Sequence, residues 1–89
     1  MSTTTMTRVT VRYFAAARAA AGTETEQIEL PSGGTLEDAL AAVRERHGAE
    51  LARVLERCSF LLDEVAVRDH SVPLPDKATL DVLPPFAGG

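Results

Sequence analysis

The last six residues, Pro84-Pro85-Phe86-Ala87-Gly88-Gly89, are the least ordinary stretch of the chain. At about 7% glycine usage, two terminal glycines arise by chance in roughly one chain in 200. Gly88 and Gly89 lack Cβ atoms, so this segment can thread a narrow channel and take backbone angles closed to other residues. The carboxylate of Gly89 can then be delivered into another protein's site. Left alone that carboxylate is inert; adenylation would turn it into a mixed anhydride open to a sulfur nucleophile. A diproline stiffens the exit of this segment, and Phe86 is an anchor that an idle tail has little reason to expose. The ordinary alternative is a frayed terminus.

Other residues that could carry chemistry stand apart from one another. His47 and His70 are distant in sequence and have no Cys or carboxylate at ligand spacing, so neither begins a metal site. His47 at a helix end reads as a dipole-compatible cap, and His70 in a polar turn as a solvated loop residue. Cys58 falls on an apolar stripe, where a free cysteine is usually a small core side chain. Gly33-Gly34 before a helix is a turn signal and lacks the spacing of a phosphate-binding loop.

Composition narrows the class of partner. A net charge of −4 and a pI near 5.0 argue against nucleic acid, because phosphate backbones reward clustered Lys and Arg. The sequence lacks an apolar run of the ~20 residues needed to cross a bilayer and an apolar leader after Met1, which predicts a soluble cytoplasmic protein without membrane contact. A single cysteine excludes an internal disulfide. At 89 residues the chain can build one core.

The elements that must position the tail follow from periodicity. Val9, Val11 and Tyr13 alternate with polar residues, predicting a first strand. Ala15 to Ala21, halted by Gly22, predicts a short helical turn. Thr23 to Leu30 predicts a second strand, antiparallel to the first and broken at Pro31. Thr35, with Asp38 three residues on, is placed to cap a helix carrying Leu36, Ala39, Leu40 and Val43 on one face. Leu51, Val54, Leu55 and Cys58 continue a helical stripe after the stop at His47-Gly48. Phe60 to Leu62, Val65 to Val67 and Thr79 to Leu83 predict short strands, the last ended by Pro84-Pro85. The expected fold is an α+β, β-grasp (ubiquitin-like) roll, a mixed sheet with one main crossing helix and with the last strand parallel to the first. The expected boundaries are a flexible N-terminal tail over 1–7, the domain over 8–83, and a flexible functional tail over 84–89.

Val11-Arg12-Tyr13-Phe14-Ala15 with Arg18 and Gly22, and above all Pro84-Pro85-Phe86-Ala87-Gly88-Gly89, make the chain resemble the MoaD and ThiS family of ubiquitin-like sulfur carriers. The diproline before Gly-Gly favours its molybdopterin synthase branch. Asp63-Glu64 and Asp76-Lys77-Ala78-Thr79 depart from the family's usual turns, away from the tail. The resemblance implies that an adenylating enzyme related to ubiquitin activators uses ATP and magnesium on Gly89. A persulfide donor then leaves a thiocarboxylate there, which gives sulfur to cyclic pyranopterin monophosphate. On that reading Gly89 is the covalent carrier, Gly88 and Ala87 give a slim tip, and Phe86 and Pro85 anchor the tail in the large subunit of the synthase, within a heterotetramer. The carrier would hold no permanent cofactor, and catalysis would belong to the partners. Three alternatives stay open: sulfur delivery to cysteine or thiamin biosynthesis, isopeptide modification of other proteins, and a docking module without covalent chemistry.

Overall fold

Residues at every second position make β1 (Met6–Tyr13) two-faced. Thr7, Val9, Val11 and Tyr13 are buried, and Met6, Arg8, Thr10 and Arg12 take the other side. In the computed structural model, which describes residues 5–85, the strand begins inside the segment expected to be a tail. Met6 and Thr7 pair with Pro31 and Leu30 of β2 (Thr25–Pro31). Thr7 continues the alternation, and its β-branched side chain suits a pleated, half-buried surface. Pro31 ends β2 at the edge of the sheet, where its missing N–H costs no ladder bond.

The alanine run forms α1 (Ala15–Ala21), as alanine's high helix propensity favours. Gly22 stops it in the left-handed region at φ 78°, its N–H donating to the Arg18 carbonyl at 2.8 Å. Thr35 then starts α2 (Leu36–His47) with a reciprocal cap. The Asp38 N–H donates to Thr35 Oγ1 (3.2 Å), and the Thr35 N–H donates to Asp38 Oδ2 (2.9 Å). The Leu36 and Glu37 N–H groups donate to the carbonyls of Val72 and His70, at 3.0 and 2.8 Å. The loop before the last strand therefore straps the start of α2. After Gly48 a shorter α3 (Ala49–Leu55) leads to β3 (Ser59–Leu62), β4 (Val65–Val67) and β5 (Ala78–Leu83).

The sheet order is β2-β1-β5-β3-β4, with β1 and β5 parallel and the other pairs antiparallel. Leu36, Ala39, Leu40 and Val43 of α2 and Leu51 and Leu55 of α3 share one core with Val9, Val11, Ile28, Phe60, Leu80 and Val82. Full burial of each large side chain contributes about 1.5–3 kcal/mol, which makes this face the main source of stability. The opposite face carries Arg12, Thr79, Asp81 and Leu61. Among the described residues, no helix is long and apolar enough to cross a membrane.

Candidate functional site

The tail is fed by the middle strand of the sheet. Val82 pairs with Tyr13 on one side and Phe60 on the other, and Leu83 pairs with Ser59. The Phe14 N–H donates to the Val82 carbonyl at 3.2 Å, closing the ladder at the strand end. Pro84 and Pro85 have no N–H to continue it, so the chain must leave the sheet there. Pro84 is half-buried and Pro85 is exposed. Pro85 is the one sequence-predicted site residue in the described part; Phe86, Ala87, Gly88 and Gly89 lie outside the described residues.

The exit is flanked by a pair that sequence reasoning missed. The parallel register sets Arg12 opposite Asp81, and the guanidinium grips the carboxylate with Nε at 2.6 Å and an Nη at 2.8 Å. Asp81 is only 4% exposed, and Arg12 also lies 5.8 Å from the centroid of the Phe14 ring, which is 38% exposed. The hydrogen bond to Asp81, and then its charge, push the Arg12 pKa further up. A fork-to-fork ion pair of this kind fixes geometry as well as charge. Arg12, Phe14 and Leu83 thus frame the exit with a cation, an exposed ring and an aliphatic side chain. These groups can hold and present a segment; they place no nucleophile beside it.

The remaining candidates fall into place away from the exit chemistry. Cys58 Sγ lies 3.3 Å from the Val54 carbonyl oxygen, and burial pushes its pKa up to about 11, so the thiol stays protonated. His47, expected as a simple helix cap, instead places Nε2 2.5 Å from Glu26 Oε2 and turns its ring edge-on to Tyr13. The Tyr13 hydroxyl donates to the same oxygen at 2.5 Å, and Arg46 donates to Oε1 at 2.9 Å. Burial alone would raise the Glu26 pKa; the bonds from Tyr13, Arg46 and His47 outweigh it and hold the carboxylate below its ordinary value. His70, expected as a solvated loop residue, packs its ring edge-on to Phe60 and sits 3.5 Å from Glu37 Oε1. Among the described residues, no three His, Cys, Asp or Glu side chains are grouped to hold a metal ion.

The sequence profile of the ThiS family matches residues 11–89, a span that takes in β5, the diproline and the terminal glycines. The chain belongs to the ThiS family. Over 83 residues, 92% of its length and 99% of the relative's, this ThiS-family chain is 35% identical to the molybdopterin synthase sulfur carrier subunit of Chlamydomonas reinhardtii. It is similar to a solved complex of subunits 1 and 2 of the molybdopterin-converting factor from Helicobacter pylori, with 26% identity and a TM-score of 0.70, covering 92% of this chain and 99% of that one. The crystal structure of small archaeal modifier protein 1 from Haloferax volcanii superposes with a TM-score of 0.80 at 22% identity, over 90% of this chain and 99% of that one. That likeness establishes the β-grasp, ubiquitin-like fold of the ThiS-family chain.

Proposed function

We propose that this chain is a sulfur carrier for molybdopterin synthesis, with Gly89 as the group that carries the sulfur. A partner adenylates the Gly89 carboxylate with ATP and magnesium. A persulfide then displaces AMP to give an acyl disulfide, and a second thiol attacks the donor's sulfur in that S–S bond, leaving the thiocarboxylate on Gly89 and a disulfide on the donor. The charged tail enters the large subunit of the synthase and gives its sulfur to cyclic pyranopterin monophosphate, two carriers serving a pair of large subunits in the cytoplasm. Gly88 and Ala87 keep the tip narrow, and Phe86 and Pro85 seat it.

One observation carries this reading. The middle strand of the sheet, held on both sides, ends at a diproline four residues before the terminal glycine in sequence, in a chain 35% identical along nearly the whole of a molybdopterin synthase sulfur carrier subunit. The Arg12, Phe14 and Leu83 frame suits a docking role, since an exposed ring beside a cation gives a partner both apolar contact and orientation.

The test is the intact mass of the chain after incubation with an adenylating enzyme, ATP, magnesium and a persulfide donor, with a Gly89-deleted chain alongside. The expected product gains the mass of one sulfur in exchange for one oxygen, and the deleted chain does not change. Gly88→Phe keeps the fold and stays uncharged, because its ring must pass the same channel. An unchanged mass with active enzyme, or normal charging of Gly88→Phe, contradicts the proposal.

A further inference from the structure

The chain holds eight arginines and a single lysine, Lys77. A guanidinium stays protonated and does not attack acyl groups, whereas a lysine amine does so once it has lost its proton. A chain with an activated carboxyl terminus therefore offers one side-chain amine to such a group. Lys77 stands at the turn before β5, exposed, with its backbone in the left-handed region at φ 66°. Both sides of this turn are stitched to β1: the Lys77 N–H donates to the Arg8 carbonyl at 2.7 Å, and the Arg8 N–H donates to Asp76 Oδ1 at 2.9 Å. No ion pair among the described residues includes Lys77.

The lysine helps to line a hollow of about 270 Å³ with Met6, Arg8, Glu29 and Asp76. The lining of this hollow thus includes a lysine, two acidic residues and an arginine, with Arg8 held to Glu29 at 3.1 Å. Met6, 42% exposed, adds an apolar side chain to the lining.

We propose that Lys77 and this hollow form an acyl-acceptor site for the activated glycine terminus of a second copy of this chain; the inference rests on the activation of Gly89 proposed above. The Lys77 ammonium gives a proton through Glu29 to water, Asp76 Oδ1 being taken up by the Arg8 N–H, and its lone pair attacks the Gly89 carbonyl carbon of the acyl adenylate. The C–N bond forms, the C–O bond to AMP breaks, AMP departs with the electron pair, and the nitrogen sheds a second proton by the same route. The Arg8 guanidinium faces the departing phosphate, and Met6 receives Phe86 of the incoming tail. Donor and acceptor belong to different copies because Lys77 and the tail stand at opposite ends of β5. That six-residue strand spans about 20 Å at about 3.3 Å per residue, so a chain's own tail would have to double back fully extended along it.

The experiment incubates the full chain with its activating enzyme, ATP and magnesium and no sulfur donor, reading pyrophosphate release and intact mass. The wild type is expected to release pyrophosphate and form a covalent dimer of twice the chain mass less one water, with peptide mapping placing the link at Lys77. Lys77→Arg is expected to release pyrophosphate at the same rate and form no dimer. Pyrophosphate without a wild-type dimer, or a dimer that persists in Lys77→Arg, overturns the proposal. Absence of pyrophosphate from every variant overturns the activation of Gly89 instead, and a second arm then decides the acceptor site. In that arm a thioester of the tetrapeptide Phe-Ala-Gly-Gly is offered to the full chain. The expected adduct sits on Lys77 and forms about tenfold more slowly in Glu29→Gln, a smaller effect than positioned proton acceptors give in closed sites because this hollow is open to water. Acylation confined to the α-amine, or equal rates in Glu29→Gln, overturns it.

Discussion

Replacing Tyr13 by Phe removes one oxygen from a nearly closed site and changes little else, which makes it a clean probe of the Glu26 cluster. The Tyr13 hydroxyl donates at 2.5 Å to a carboxylate that is 12% exposed and keeps Arg46 and His47 as donors. A hydrogen bond to a charged group contributes about 1.5–3 kcal/mol, and the two surviving donors place the loss near about 1.5 kcal/mol. For a domain of this size that lowers Tm by roughly 6–12 °C. The dependence on pH is the sharper test. The Glu26 pKa is held below its ordinary 4.5 in the fold, so its contribution is complete above 4.5 and is lost as pH falls through the folded value. The Tyr13 pKa is raised above its ordinary 10.0, by burial first and then by its bond to Glu26, so its contribution is complete below 10.0 and fades as pH rises beyond it. Urea unfolding followed by far-UV circular dichroism, wild type against Tyr13→Phe, should therefore show a difference that is flat between 4.5 and 10.0 and shrinks on both sides. A difference below about 0.5 kcal/mol at neutral pH, or one that stays constant into acid, refutes the reasoning.

Thr35→Ala removes half of the reciprocal cap on α2 and should lower unfolding free energy by about 1 kcal/mol in guanidinium titrations. Glu64→Gly relieves a left-handed backbone at φ 72° and should raise stability by about 0.5 kcal/mol after glycine's greater freedom in the unfolded chain is subtracted; a lower Tm would show that the Glu64 side chain contributes more than its backbone costs. On the proposed function, Phe86→Ala should leave the circular dichroism spectrum unchanged and weaken binding to a large synthase subunit by about tenfold or more in calorimetry, as loss of an aromatic anchor would.

The sequence made the elements legible because each rests on local rules. The Thr35 and Asp38 pair marked the start of α2, and alternation in Val9, Val11 and Tyr13 fixed which face of β1 is buried. The parallel pairing of first and last strands followed from the crossing helix. The start of β1 was misread because the threonine-rich segment before Arg8 has no apolar alternation to extend; its pairing with Leu30 and Pro31 is a tertiary matter. The ion pair of Arg12 with Asp81 depends on the register between strands 69 residues apart, and nothing near either residue announces it. The Glu26 cluster gathers a strand, a second strand and a helix end, which is why His47 read as a plain cap. Of the candidate site, the reason for choosing the tail lay wholly in composition, while its frame of Arg12, Phe14 and Leu83 came from the sheet order.

The placement of β5 has a mechanical consequence. If the tail works as proposed, drawing it into a partner or pulling it back out would load the strand that bears it along its axis. Because β5 is bonded along both edges, that load acts in shear on two ladders at once rather than peeling an edge strand one bond at a time. On the proposed function, a pull along β5 would meet the sheet in its more resistant direction, and the core would stay closed.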